Sequence, residues 1–351
     1  MDSKKLLFSL IFSLSLFSLL LGQGSARYHH RHFHLRPTRL FVFGDSYVDT
    51  GNINVNTSSA RNIPYGITFP GVPSGRLSDG RVLTDYLARY FGLKSPVPFT
   101  TWQNVGVKRP RNGINFAFGG TGIFDTSFPF PNMTTQINFF QKLIANSIFT
   151  LNDIHSSIAL VSVSGNDYSF YQATNGSMEG FKPFIVSVVN QIAINLKRIH
   201  GLGVRKVVMM GLGPLGCLPE LTAASSFSKC NATMDSLVEF HNALLKQAVE
   251  KLNKETKGSP FFILDIYGTL LSIIQNKGSP YKARPRFETP LKPCCFGVSS
   301  EFSCGSVDKK GNKKYTLCKD PKLALFWDSV HPTQEGWFVA FRSLGSNLKK
   351  L

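Results

Sequence analysis

Leu40-Phe41-Val42-Phe43 runs without a polar break into Gly44-Asp45-Ser46. Four apolar residues closed by a turn sequence have the length and flanks of a strand buried on both faces, as strands of parallel sheets are. Runs of the same kind recur downstream. Residues 158–163 end in Ser164-Gly165-Asn166-Asp167, residues 204–210 in Gly211-Leu212-Gly213, and residues 261–264 in Asp265. Between the second and third runs, Ile185, Val188, Val189, Ile192, Leu196 and Ile199 follow helical spacing. Leu237, Phe240, Leu244, Leu245, Ala248 and Leu252 do the same between the third and fourth. Strand alternating with helix predicts an α/β chain whose parallel sheet is joined by crossover helices. In such sheets ligands bind beyond the carboxyl ends of the strands, where Ser46, Asn166 and the 211–213 turn stand.

The 351 residues are 42% hydrophobic and 17% charged, enough to bury a full core and unlike a disordered or collagen-like polymer. No linker-like stretch divides the chain after its first forty residues, so residues 40–351 read as one domain. Residues 282–319 read as a long loop tied by disulfides. Ahead of the domain, Lys4 and Lys5 precede an apolar run over residues 6–21 and then Gly24-Ser25-Ala26. That is the pattern of a secretory signal peptide ending near Ala26, since the run is short for a membrane span. Residues 27–39 form a basic, His-rich tail containing His29, His30, His32 and His34.

Secretion gives the remaining residues their context. Asn56, Asn132, Asn175 and Asn231 lie in Asn-X-Ser/Thr sequons and are candidate glycan sites. The six cysteines form an even set suited to an oxidising compartment. Cys217 with Cys230 is one plausible bridge, and Cys294, Cys295, Cys304 and Cys318 supply two more of open connectivity. The clustered four lack the C-x2-C spacing of a zinc site. The formal charge is +18, and loss of residues 1–26 with Lys4, Lys5 and Asp2 leaves +17. An anionic polysaccharide or a membrane surface would complement that field through the basic tail and the Lys309–Lys314 loop, although both also suit plain solvation. Nucleic acid fits poorly, because no nucleic-acid-binding motif is present.

A serine nucleophile needs a base within hydrogen-bond reach and an acid to orient that base. Outside the tail the histidines are His155, His200, His241 and His331. His200 and His241 fall in helical stretches, and His155 shares no face with Asp153. Asp328-Ser329-Val330-His331-Pro332 places a carboxylate three residues before an imidazole. Asp328 can then accept the Nδ1 proton and leave Nε2 for a hydroxyl. Oxyanion donors are available in the segment from Asn115 to Gly122 and in Gly165-Asn166. Gly211-Leu212-Gly213-Pro214-Leu215-Gly216 matches a dinucleotide fingerprint in form, but Pro214 and Pro219 interrupt the helix that would meet a pyrophosphate. The chain has no G-x-S-x-G elbow and no H-E-x-x-H.

Four blocks in order carry a resemblance: Phe43-Gly44-Asp45-Ser46 with Asp49-Thr50-Gly51-Asn52, the segment Asn115 to Gly122, Gly165-Asn166-Asp167, and Asp328-Ser329-Val330-His331-Pro332-Thr333. Together the chain resembles the plant GDSL esterase/lipase family of the SGNH hydrolase superfamily, from about Leu40 to Leu348. The resemblance implies a flavodoxin-like three-layer α/β/α sandwich and ester hydrolysis through an acyl-enzyme, with no cofactor and no metal. It assigns Ser46 as nucleophile and oxyanion donor, with Gly120 or its neighbour Gly119 and the Asn166 amide as the other donors. His331 becomes the base and Asp328 its orienter. Asp45 and Asp49 are expected to tie down the turn. Tyr47 departs from the leucine usual after the serine and stands where it could alter the acyl pocket. The ester is expected to be lipid-like or an acetylated polysaccharide, and a catalytically silent matrix-binding protein is the reading from another class.

Overall fold

Residues 36–53, 59–106, 109–163, 165–276 and 287–351 are described by the computed structural model. The expected signal peptide, most of the basic tail, Asn56 and the start of the 282–319 segment lie outside them. Six strands form one sheet: β1 (Arg39–Gly44), β2 (Val97–Pro98), β3 (Ile114–Asn115), β4 (Ser157–Ser162), β5 (Lys206–Met210) and β6 (Phe261–Leu264). Their order is β2-β3-β1-β4-β5-β6, and every pairing is parallel. The four apolar runs became the four longest strands. β2 and β3, two residues each, are too short to show a period.

Alternation along the strands splits the core in two. Phe41, Phe43, Ala159, Val161, Val207 and Met209 face the helices Met133–Ala145, Met178–Gly201 and Ala232–Glu255. Leu40, Val42, Ile158, Leu160, Val208 and Met210 face Leu83–Tyr90, Ile266–Gln275 and Gln334–Ser343. This is the three-layer α/β/α arrangement. All six apolar positions expected on the first crossover helix are buried in Met178–Gly201, which Ser177 caps by accepting from Gly180 N–H. On Ala232–Glu255, Leu237, Leu245 and Leu252 are buried, whereas Phe240, Leu244 and Ala248 pack partly exposed at the edge of the core.

Two boundaries differ from the sequence reading. Arg39, grouped there with the basic tail, opens β1 and pairs with Asp153 at 2.7 Å, while Thr38 N–H donates to Ser156 carbonyl at 2.8 Å. The described part of the 282–319 segment is more than loop. It holds an antiparallel ribbon of β7 (Cys295–Gly297) and β8 (Tyr315–Leu317). Disulfides join Cys294 to Cys318, Cys295 to Cys304, and Cys217 to Cys230, which settles the open connectivity. The Cys294–Cys318 and Cys295–Cys304 bridges pack with Ile53, Tyr65, Tyr315 and Trp327 in a third apolar cluster. In the basic loop, Asp308 accepts N–H bonds from Lys310 and Asn312, folding the exposed chain on itself.

Of the sequons, Asn132 and Asn231 cap helices through their side-chain oxygens, receiving Thr135 N–H and Met234 N–H. Asn132 also donates to Asp125. Asn175 is exposed at a left-handed turn, with φ 60°.

Candidate active site

β3, β1 and β4 lie side by side in the sheet, so their carboxyl ends deliver three sequence blocks to one edge. Gly44 lets them meet. At φ +135° its position has no room for a side chain, because a Cβ there would stand 1.8 Å from the Ser162 carbonyl oxygen. Buried Gln136 fixes the same residue from the helix above, accepting Gly44 N–H at 2.7 Å and donating to its carbonyl at 2.9 Å.

Buried polar groups join the blocks. Asp49 accepts the N–H groups of Gly51, Asn52 and Gly119 at 2.7, 2.8 and 3.1 Å. Asn52 donates to the carbonyls of Asn115 and Ala117, and Asn115 donates to that of Val48. Asp45 accepts from Tyr47 N–H at 3.1 Å and from the Ser162 hydroxyl at 3.3 Å. Asp167 holds Ile123 N–H and Phe124 N–H at 2.9 Å each, tying the third block to the second. Burial pushes Asp45 up to about 7 and Asp49 and Asp167 up to about 6, against the pull of these donors. Asp45 and Asp49 therefore tie down the turn, as expected of them.

The fourth block folds around its own carboxylate. Asp328 Oδ1 accepts Val330 N–H at 2.9 Å and His331 N–H at 2.8 Å. His331 Nδ1 lies 2.9 Å from each Asp328 oxygen, and Nε2 lies 2.8 Å from Ser46 Oγ. Burial raises the Asp328 carboxyl, but the His331 charge, its ring hydrogen bond and the two backbone donors outweigh that and hold it below the ordinary carboxylate value. Ser46 is 7% exposed and Asp328 6%. Two residues invisible to the sequence reading reach this block. Tyr65 Oη donates to Asp328 Oδ2 at 2.8 Å. Glu220 N–H donates to the Ser329 carbonyl at 3.0 Å, placing a carboxylate at the rim. Tyr47 lines the cavity with its hydroxyl on the Val330 carbonyl at 2.9 Å and its ring edge-on to His331.

The spare donors converge here. Gly119 N–H is spent on Asp49, whereas Gly120 N–H and Ser46 N–H have no acceptor among the described residues. Gly120 turns at φ +83° to border the cavity. Asn166 commits one amide hydrogen to the Thr121 carbonyl at 2.9 Å and keeps the other. Beside these groups opens a cavity of about 450 Å³, lined on one side by Ile53, Leu77, Phe128 and Phe130. Its other side is Leu212, Leu215, Leu218, Leu221 and Met234. Gly211 and Gly213 border the same apolar wall, which runs into a short 3-10 turn, Leu215–Cys217. The other histidines among the described residues stand apart from this chain of bonds. His155 is exposed, His200 Nδ1 meets the Val204 carbonyl at 2.8 Å, and His241 is buried against Tyr168 Oη at 2.6 Å.

A hydroxyl, an imidazole and a carboxylate in a line, at the carboxyl edge of a parallel sheet and beside unspent N–H groups, form the constellation of a serine hydrolase. The chain belongs to the GDSL-like lipase/acylhydrolase family, whose model matches residues 40–342. Two GDSL esterase/lipases of Arabidopsis thaliana are similar to it along almost their whole length. One is 52% identical, covering 99% of this chain and 98% of its own, and the other 51% identical, covering 100% and 99%. The chain is accordingly a carboxylic ester hydrolase.

Proposed function

We propose that this chain hydrolyses esters of apolar acyl groups through an acyl-enzyme on Ser46. His331 Nε2 takes the Ser46 proton as Oγ attacks the ester carbonyl, and Asp328 stabilises the imidazolium formed. The oxyanion is held by the N–H groups of Ser46 and Gly120 and by the Asn166 amide. Collapse expels the alcohol, which leaves with the proton from His331. Water then gives a proton to the same nitrogen, attacks the acyl carbon and releases the acid as Ser46 recovers its proton. The observation that carries this reading is the 2.8 Å contact between His331 Nε2 and Ser46 Oγ, with Nδ1 held on Asp328. The apolar lining of the cavity favours a hydrocarbon acyl chain over acetate on a sugar.

The same reading takes residues 1–26 as a signal peptide, 27–39 as a basic tail and 40–351 as the secreted domain. Three disulfides support an oxidising, extracellular destination. Asn175 and Asn231 are exposed candidates for glycans, while Asn132 would first have to release Asp125. The exposed Lys309–Lys314 loop suits contact with an anionic polysaccharide or membrane surface.

Hydrolysis of p-nitrophenyl acetate and a long-chain analogue by the secreted protein and by Ser46→Ala tests the mechanism. Loss of about 10⁴-fold or more in turnover is expected of the variant. Equal rates would remove Ser46 from the chemistry, and strong selectivity for the acetyl ester would overturn the acyl-chain assignment.

A further inference from the structure

We infer that Tyr65 is a positioning residue for the reaction, acting through Asp328; this rests on the Ser46–His331–Asp328 reading above. The carboxylate of Asp328 receives its donors unevenly. Oδ1 takes the backbone N–H groups of Val330 and His331, both from its own loop. Oδ2 faces away from those amides, and beside the shared ring nitrogen of His331 its donor is the Tyr65 hydroxyl at 2.8 Å. Among the described residues, Tyr65 and His331 are the two side chains that donate to this carboxylate. With Tyr65 in place the carboxylate plane is pinned at both oxygens, and its orientation fixes that of the imidazole. A carboxylate held at one oxygen alone can rotate about the Cβ–Cγ bond, and the ring follows it away from Ser46.

Tyr65 is itself held firmly. It is 2% exposed, and its ring meets Trp327 edge-on at 6.0 Å between centroids. Tyr65 N–H donates to the Asn62 carbonyl at 3.0 Å, and the next residue, Gly66, donates to Ser78 at 3.0 Å. The apolar cluster around it includes Cys294, Cys295, Cys304 and Tyr315, so the disulfide-tied ribbon forms the socket of the ring. Tyr315 Oη reaches the Ile63 carbonyl at 3.4 Å, fastening the same segment from the ribbon side. A phenol placed this way, buried with its hydroxyl on a buried carboxylate, gives a charge-assisted bond of fixed direction.

The experiment compares wild type, Tyr65→Phe, Asp328→Asn and the double variant, with Ser46→Ala as the control on the parent reading. Phenylalanine keeps the ring on Trp327 and removes only the hydroxyl. The expected result is a fall of about tenfold in kcat with KM unchanged in Tyr65→Phe. In the Asp328→Asn background the same change should cost less than twofold, because a residue acting through Asp328 has nothing left to act on. General loosening of the fold would cost the same factor in both backgrounds, and that outcome overturns the proposal. So does a Tyr65→Phe enzyme within twofold of wild type while Ser46→Ala is inactive. An active Ser46→Ala protein would instead overturn the reading on which the inference stands.

Discussion

The Nδ1 atom of His331 is equidistant, at 2.9 Å, from the two carboxylate oxygens of Asp328. An asparagine at 328 would offer one acceptor and one NH2 group to that nitrogen, which favours the wrong imidazole tautomer. Asp328→Asn should therefore lose about 10³- to 10⁴-fold in kcat with KM little altered. Steady-state kinetics on a short-chain chromogenic ester measure this. A loss below tenfold would mean that His331 does its work without this partner.

The second amide hydrogen of Asn166 faces a test of its own. Its first is anchored on Thr121, so the side chain is already aimed before substrate arrives. Replacing it with alanine should lower kcat by about 10²- to 10³-fold, as removal of one oxyanion donor does elsewhere. Asn166→Asp, which keeps the shape and supplies a repelling charge, should be no better. If either variant instead raises KM and leaves kcat alone, Asn166 binds substrate without stabilising the oxyanion.

The blocks that sequence could read are those whose chemistry is local. Asp328 and His331 are three residues apart, and the turn after β1 follows directly from a buried run ended by Gly44. What joins them is not local: Ser46 meets His331 across 285 positions, which a strand order and a loop geometry decide together. The choice between Gly119 and Gly120 shows the same limit. Two adjacent glycines are equivalent on paper, and only the bond from Gly119 N–H to Asp49 separates them. Tyr65 left no signal because its segment has no period and its partner lies 263 residues away. The ribbon was missed because three-residue strands between cysteines carry no alternation.

The Cys217–Cys230 bridge closes a short loop that carries Leu218 and Leu221 of the cavity wall. Chain entropy assigns about 3 kcal/mol to a loop of this size. The Cys217→Ala, Cys230→Ala double variant should lose about 2–4 kcal/mol in denaturant unfolding. Its KM should also rise more, relative to wild type, for a long-chain ester than for an acetyl ester. Equal KM changes for both esters would separate this bridge from the cavity.

Chain-length preference can be moved deliberately. Leu215 and Met234 form part of the apolar wall, and neither touches the Ser46–His331–Asp328 line of hydrogen bonds. Met234→Trp fills the cavity from the helix Ala232–Glu255. It should cut kcat/KM for a long-chain ester by about tenfold or more and leave the acetyl ester within about twofold, since each excluded buried CH₂ is worth about 0.8 kcal/mol. A parallel fall for both esters would place the acyl chain elsewhere.

His241 makes a prediction about stability rather than rate. Its Nδ1 is 2.6 Å from Tyr168 Oη, its Nε2 has no hydrogen-bond partner among the described residues, and the residue is fully buried. Burial disfavours the charged ring and pushes its pKa down to about 4. The unfolded chain binds that proton near the ordinary histidine value of 6.5, so between 6.5 and 4 the unfolded state holds more protons and stability falls as pH falls. The loss reaches about 3 kcal/mol by pH 4. Asp45, Asp49 and Asp167 act with the opposite sign. Their native values are raised to about 7, 6 and 6, so the fold favours their neutral forms and their contribution is lost as pH rises through those values. The total pH curve therefore mixes two slopes, and only a difference curve isolates the histidine. His241→Gln keeps an acceptor for Tyr168 and cannot titrate. Measured by urea unfolding, wild type should lose stability relative to this variant as pH drops from 7 to 4, with the gap opening below 6.5. A constant gap across that range would mean that His241 takes up its proton at the same pH in the folded and the unfolded chain, so that burial does not lower its pKa.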